Sequence, residues 1–77
     1  MKIAIAILNW NGKKLLKQFL PSVVENSPEA KIFIIDNASN DGSQNYVKQN
    51  HPEVDLIQLD ANFGFAGGYN RGLKKID

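Results

Sequence analysis

The sequence predicts an α/β domain, a three-layer Rossmann-like β-α-β-α-β-α unit built on a parallel sheet. Two runs, 2–8 (KIAIAIL) and 31–36 (KIFIID), are almost entirely apolar, as is typical of strands buried on both faces of such a sheet. A segment with helical features follows each of them. Right-handed crossovers between successive strands then give the strand order 3-2-1.

The first helix is predicted over residues 13–26 (KKLLKQFLPSVVEN), after the turn-forming residues 9–12 (NWNG). Its lysines lie opposite an apolar face. That face comprises Leu15, Leu16, Phe19, Leu20, Val23 and Val24. Pro21 is expected to kink the helix, because it removes the hydrogen bond to the carbonyl of Lys17.

A polar loop (NASNDGS) separates the second strand from a short helix that is predicted to end near Asn50. Asp41 is the expected N-cap of this helix, with Gln44 completing a capping box. Residues 54–60 (VDLIQLD) alternate apolar and polar side chains, which suits a strand at the edge of the sheet. The last helix is predicted over residues 65–76.

The composition excludes several classes of protein. The net charge is +1 and the basic residues form no block, so no nucleic-acid partner is expected. The chain has no cysteine, which excludes disulfides, a thiol nucleophile and a zinc–thiolate site. The longest apolar run (IAIAIL) is too short to span a bilayer, and the N-terminus lacks the features of a signal peptide. A cytoplasmic location is therefore expected.

Residues 1–77 are interpreted as a single partial domain. In the order 3-2-1 the first strand lies at an edge, although its composition is that of a central strand. A long apolar edge favours aggregation, and complete proteins usually cover it. We therefore expect the chain to be the N-terminal part of a larger protein. We also expect the isolated chain to form a homodimer through the exposed first strand.

The loops that follow the three strands are expected to converge on one rim of the sheet. A ligand site is predicted there, because ligands bind beyond the carboxyl ends of the strands in open parallel sheets. Asp36 ends the second strand and can accept hydrogen bonds from a ribose diol or a base; alternatively, it starts an Asx turn. Asp41 is interpreted first as an N-cap and second as a ligand contact. Trp10 either lines a base pocket or covers the end of the core.

Three further polar residues, His51, Asp55 and Asp60, are given structural roles. His51 lies near a helix end, where the partial charge of the helix favours a cation. Asp55 and Asp60 are expected to be solvated. A classical dinucleotide site is excluded, because its G-x-G-x-x-G motif would follow the first strand, where this chain has NWNG.

The segment 62–72 (NFGFAGGYNRG) contains glycines at positions 64, 67, 68 and 72. The N-terminus of the last helix points at the predicted rim and suits a phosphate, and Gly64 frees its approach. Each glycine inside a helix costs about 1 kcal/mol relative to alanine. We expect the three later glycines to let the helix lie against a ligand or a strand; helix–sheet packing would explain one, but hardly three. Asn70 and Arg71 supply donors, and Arg71 can meet a phosphate.

Three segments, AIAILNWNGKKLLKQFLPS, FIIDNASNDGS and NFGFAGGYNRG, together resemble the N-terminal part of family 2 glycosyltransferases. The resemblance covers essentially the whole chain and implies a truncated glycosyltransferase-A fold. The glycine-rich segment is similar to the branch of the family associated with rhamnosyltransferases.

The resemblance implies a part that binds the nucleotide of a UDP- or dTDP-sugar donor. The parent enzyme would be an inverting glycosyltransferase of the hexosyltransferase type, active in polysaccharide biosynthesis. It would transfer a sugar such as rhamnose to a glycan or a lipid-linked acceptor. The implied nucleotide-binding residues are Asn9, Trp10, Asn11, Asp36, Asp41, Asn62, Gly64, Phe65, Ala66, Gly67, Asn70 and Arg71. Where many members carry an arginine before the asparagine of the last motif, this chain has Tyr69.

The family's metal-binding D-x-D motif and its catalytic base have no counterpart in these residues. The resemblance therefore implies Mg²⁺ or Mn²⁺ in the full-length enzyme, at the inner face of the membrane or in the cytoplasm. It implies no metal site, no catalytic residue and no activity in this chain alone, because the leaving diphosphate needs a cation. The alternative is a stand-alone, non-catalytic α/β module that binds a nucleotide or dimerises.

Overall fold

The computed structural model describes residues 3–76 and contains the six predicted elements in the predicted order. Lys2, the predicted start of the first strand, lies outside the described residues. The elements are β1 (Ile3–Asn9), α1 (Lys13–Asn26), β2 (Ala30–Asp36), α2 (Ser43–Asn50), β3 (Asp55–Gln58) and α3 (Gly64–Lys75).

The three strands are parallel, and β2 lies between β1 and β3, which confirms the predicted order. The register places Leu8 beside Ile35 and Asn9 beside Asp36. Ile34 and Ile35 of the central strand are both fully buried. Since neighbouring residues of a strand point to opposite faces, both faces of the sheet are covered at β2.

Helices cover the sheet on both sides, which confirms the three layers. α1 and α2 pack against the face that carries Ile32 and Ile34. The buried cluster on that side is Leu16, Leu20, Ile32, Ile34, Val47 and Val54. α3 lies on the other face, with Gly68 against Leu8 and Gly72 against Ile35.

Three details of the predicted elements differ from the structure. Leu15 was expected on the buried face of α1, but its side chain is 61% exposed, because the covered stripe is centred on Leu16 and Leu20. The predicted third strand, 54–60, shortens to Asp55–Gln58. The predicted capping box is wrong: Gly42 is the N-cap of α2, at φ +88°, and the side chain of Gln44 instead donates to Asp36.

Pro21 lies inside α1, which continues to Asn26, so the proline does not end the helix. The predicted kink at this position stays a prediction. None of the described helices is long and apolar enough to cross a bilayer.

Within residues 3–76, β1 pairs with β2 on one side and forms the edge of the sheet. Ile3 at its start is 46% exposed. β1 therefore has the apolar composition of a covered strand although it lies at the edge of the sheet, as expected. Self-association through this edge stays a prediction.

Candidate functional site

The loops that follow β1, β2 and β3 meet at the carboxyl edge of the sheet, here called the rim. The parallel register sets Asn9 directly beside Asp36 at the ends of β1 and β2. The Asn9 side chain donates from Nδ2 to Asp36 Oδ1 at 2.9 Å. The third loop joins through Leu59, whose N–H donates to the backbone carbonyl of Asp36 at 2.9 Å. The predicted convergence of the three loops is confirmed.

Asp36 is the centre of this network and is fully buried. Besides Asn9, its carboxylate accepts hydrogen bonds from Ser39 N at 2.8 Å, Ser39 Oγ at 2.7 Å and Gln44 Nε2 at 2.6 Å. The bond from Ser39 N is of the kind expected from the turn interpretation. Since protein donors occupy both oxygens, the geometry favours an organising role; the ligand contact predicted for Asp36 stays a prediction.

The loop after β1 is also hydrogen-bonded to the loop after β2 through Asn11. Asn11 N donates to Ser39 Oγ at 2.8 Å, and Asn11 Oδ1 accepts from Asn40 N at 2.8 Å. Asn11 and Ala38 both have positive φ, 50° and 62°. Because non-glycine residues rarely adopt this conformation, such positions often mark sites where the surrounding structure imposes a shape on a loop.

Asp41 joins the N-termini of two helices. Its Oδ2 accepts from Lys13 N, the first residue of α1, at 3.0 Å. Its Oδ1 accepts from Ser43 N at 2.9 Å and from the Ser43 hydroxyl. Asp41 thus precedes the N-cap of α2 instead of being that N-cap. Burial raises the pKa of Asp41, but the hydrogen bonds from Ser43 and Lys13 outweigh this effect, and the pKa lies below its ordinary value.

Asn37 connects the Asp36 loop to the start of α3. Its side chain is buried, accepts from Phe63 N at 2.9 Å and donates to the carbonyl of Gly64 at 2.9 Å. A Cβ at Gly68 would lie 2.7 Å from Asn37 Nδ2 and 2.9 Å from Leu8 Cδ1. The sequence analysis missed Asn37, and its position directly after Asp36 was the available signal.

The glycines of α3 have packing roles that correct the sequence analysis. A Cβ at Gly72 would lie 2.5 and 2.6 Å from the Cγ atoms of Ile35, so this glycine, like Gly68, allows α3 to approach the sheet. At Gly67 the new Cβ would lie 3.1 Å from Phe63 Cβ and 3.9 Å from Arg71 Nη1, and it would contact no residue of the sheet. Helix–sheet packing therefore explains two of the three glycines, Gly68 and Gly72, one more than expected, and does not explain Gly67.

The N-terminus of α3 opens onto the rim. Gly64 starts the helix at φ +73°, and its N–H donates to Asn62 Oδ1 at 2.8 Å. Phe65 and Ala66 are exposed, and the first turn contains no acidic residue. The first N–H groups of a helix lack partners within the helix, and the dipole there is positive. The combination suits an anionic group.

The remaining predicted residues lie around this core of the site. Trp10 is 56% exposed, so more than half of its surface is open to a ligand. Phe65 is 75% exposed and makes an edge contact with Tyr69, at 5.1 Å between ring centres. Asn70 is exposed on α3.

Arg71 lies on the flank of α3 that faces the end of β3, opposite the flank that carries Tyr69. Its guanidinium carbon is 3.8 Å from the centre of the Phe63 ring, on the side of β3. Tyr69, by contrast, donates from its hydroxyl to the carbonyl of Ala6 in β1 at 3.4 Å. The structure therefore brings Asn9, Asn11, Asp36 and Asp41 together and places Arg71 apart from them.

The residues given structural roles behave as such. His51 is the C-cap of α2, and its ring lies beside Tyr46 and 3.5 Å from Glu53. Asp55 forms an exposed ion pair with Lys31 at 3.3 Å, and Asp60 is exposed.

The donor groups of residues 3–76 determine whether these residues can hold a metal ion. These residues contain no group of three His, Asp or Glu side chains that could hold a metal ion. The described residues therefore do not fit a divalent cation on their own.

Comparison with known proteins shows the family and the fold. The model of the family described as Glycosyl transferase family 2 matches residues 4–77. One similar solved structure is that of the mannosyltransferase PcManGT from Pyrobaculum calidifontis in complex with GDP-Man and Mn²⁺. The TM-score is 0.75 at 21% identity, and the match covers 95% of this chain and 24% of that chain. The chain thus spans about a quarter of the length of that protein. No curated protein sequence matches it.

Proposed function

Since the chain belongs to glycosyl transferase family 2, we propose that it forms the nucleotide-binding part of an inverting glycosyltransferase. The donor is a UDP- or dTDP-sugar. The sugar transferred is a hexose such as rhamnose, because the glycine-rich segment of α3 is similar to that of rhamnosyltransferases. The acceptor is a glycan or a lipid-linked acceptor in polysaccharide biosynthesis.

The proposal rests on one observation, the arrangement of side chains and of a helix N-terminus at the rim. Asn9, Asp36 and Ser39 lock two loops together below the surface, and Asn37 fixes the start of α3 beside them. An exposed aromatic ring and a helix N-terminus whose N-cap residue, Phe63, makes no side-chain capping bond are thereby held at the same edge of the sheet. A nucleoside diphosphate needs both features: a surface for the base and positive dipoles for the phosphates.

We assign different tasks to the buried and the exposed residues of the rim. Asn9, Asp36 and Asp41 organise the loops, because their polar atoms are engaged within the chain. Trp10 faces the base, and Asn11, whose N–H and Oδ1 are engaged within the chain, offers its Nδ2 group to the ribose. The α3 N-terminus, comprising Asn62, Gly64, Phe65 and Ala66, faces the diphosphate, and Asn70 lies at its periphery. Gly67 and Arg71 are left out of this group because they lie together on the flank of α3 next to Phe63, where a Cβ at Gly67 would be 3.9 Å from Arg71 Nη1.

Transfer of the sugar requires more than these residues. A divalent cation offsets the charge of the leaving diphosphate in such chemistry. Because residues 3–76 provide no metal-binding cluster, we assign no catalytic step to this chain. We propose that the isolated chain binds the nucleotide without transferring the sugar.

Trp10 is the single tryptophan of the chain and lies at the rim, so its fluorescence reports directly on the proposed site. We expect saturable quenching by UDP or dTDP, and weaker quenching by NAD. Asn62→Asp places a carboxylate at the N-terminus of α3. This change should stabilise the helix by about 0.3–1 kcal/mol and weaken nucleotide binding, because the carboxylate repels the phosphates.

Gln18→Glu is the matched control, since it makes the same charge change on an exposed position of α1. It should leave nucleotide affinity unchanged. Absence of quenching by UDP and dTDP at millimolar concentration would refute a nucleotide site in this chain. Equal effects of the Asn62 and Gln18 variants would refute the placement of the phosphates at α3.

A further inference from the structure

A cleft of about 550 Å³ lies between the end of β3 and the outer flank of α3. Six of its lining residues are Leu59, Asp60, Phe63, Arg71, Lys74 and Lys75. The proposed nucleotide site uses none of them. Tyr69 and the edge of β1 lie on the other flank of the helix. The cleft therefore adjoins the start of α3 but uses none of the residues assigned to the nucleotide, and its volume is within the size range of small-molecule sites.

Arg71 is held in a defined position in this cleft. Its guanidinium lies over the Phe63 ring at 3.8 Å, and the Phe63 N–H is bonded to the buried side chain of Asn37 at 2.9 Å. Stacking covers one face of the guanidinium and leaves the N–H groups at its edge free to donate. These groups form the fork that binds phosphate or carboxylate in a bidentate manner.

The wall of the cleft is positively charged. Lys74 and Lys75 follow Arg71 within one turn, while Asp60 contributes a single carboxylate. The ion pairs among residues 3–76, Lys31–Asp55 and His51–Glu53, involve none of these four side chains. The helix dipole accounts for lysines in the last turn of α3. It does not account for an arginine one turn earlier that is stacked on a ring across the cleft.

We propose that this cleft binds the phosphate group of a hydroxyl-bearing phosphate ester. Arg71 binds the phosphate oxygens through its fork, and Lys74 and Lys75 offset the remaining charge. Asp60 and Gln58, at the opposite wall, accept hydrogen bonds from hydroxyl groups next to the phosphate. Two sources supply this chemistry: a free polyol phosphate and a polyhydroxylated phospholipid headgroup.

The test presents glycerol phosphate both as a free ester and as part of a lipid headgroup. Glycerol 3-phosphate is titrated into the ¹⁵N-labelled chain, and the chain is sedimented with vesicles of phosphatidylglycerol or of phosphatidylcholine. We expect saturable amide shifts in residues 58–63 and 71–75 with the free ester, or binding to the phosphatidylglycerol vesicles alone. The first result identifies a free ligand and the second a lipid headgroup. In either case Arg71→Gln should weaken binding by about tenfold, the effect of losing one charge-assisted bidentate contact.

Lys48→Gln is the matched control, because it removes one positive charge from the last turn of another helix, α2. It should leave binding unchanged. Lys74→Gln is the second variant, and it keeps the test decisive if Arg71→Gln perturbs the fold. No shifts and no vesicle binding would overturn the proposal. Equal losses in the Arg71, Lys74 and Lys48 variants would overturn it too, since they would show a general effect of net charge.

Discussion

Replacing Gly72 by alanine tests whether α3 is glycine-rich because of the sheet beneath it. The added Cβ would lie 2.5 Å from Ile35 Cγ2 and 2.6 Å from Ile35 Cγ1. Ile35 is fully buried in the central strand and cannot move toward solvent. Its Cγ atoms are attached to a branched Cβ, which restricts rotation away from the new methyl group.

Two effects of opposite sign decide the result. Alanine in place of glycine inside a helix gains about 1 kcal/mol. Overpacking of a tightly packed core costs about 1–3 kcal/mol. Because the clash at Gly72 involves side-chain atoms that cannot yield, we expect the upper part of that range. The net result is a loss of about 1–2 kcal/mol in the free energy of unfolding.

The assay is urea denaturation followed by circular dichroism, with Gly67→Ala as the control. At Gly67 the new Cβ meets one atom at 3.1 Å and the residue is only half-buried, so the gain in helix propensity should leave stability equal or higher. Ile35→Val removes the outermost methyl group near Gly72 and should reduce the cost of Gly72→Ala. A Gly72→Ala variant as stable as the wild type would refute the packing argument.

Three further predictions concern the loops of the rim. Asn37→Ala should lower stability by about 1–3 kcal/mol, because it leaves Phe63 N and the Gly64 carbonyl without a partner; denaturation against the exposed control Asn40→Ala measures this. Gly64→Ala should cost about 1–2 kcal/mol although the space is open, because φ is +73°; its denaturation midpoint should fall. Asp41 has a lowered pKa, so its stabilising effect is complete above about pH 4 and is lost as the pH falls through the lowered pKa. The stability difference between wild type and Asp41→Asn should therefore shrink between neutral pH and about pH 3, and a constant difference would contradict this.

The fold was predictable because its signals are local. In β2 the adjacent residues Ile34 and Ile35 are both buried, which is the structural counterpart of an apolar run without alternation. Helical spacing marked α1 from its first to its last residue. Once three parallel strands alternate with helices, the convergence of their carboxyl ends follows from topology alone.

The details of the site were less predictable because they depend on contacts distant in the chain. Asn37 bonds to residues that lie 26 and 27 positions further along, and no local pattern marks such a pair. For the same reason the sequence could not decide whether Gly72 makes room for a ligand or for Ile35. The sequence placed Asp41 at the N-terminus of one helix. Its hydrogen bond to Lys13 N, at the start of a second helix, depends on the three-dimensional structure.

The rim is proposed to bind the nucleotide of a sugar donor. The most direct measurement is an amide chemical-shift titration of the ¹⁵N-labelled chain with UDP, dTDP, GDP and NAD. We expect saturable shifts in residues 9–12, 36–41 and 64–66, strongest with UDP or dTDP, while residues 71–75 stay unchanged. Shifts confined to other parts of the chain, or none with any of the four compounds, would contradict it.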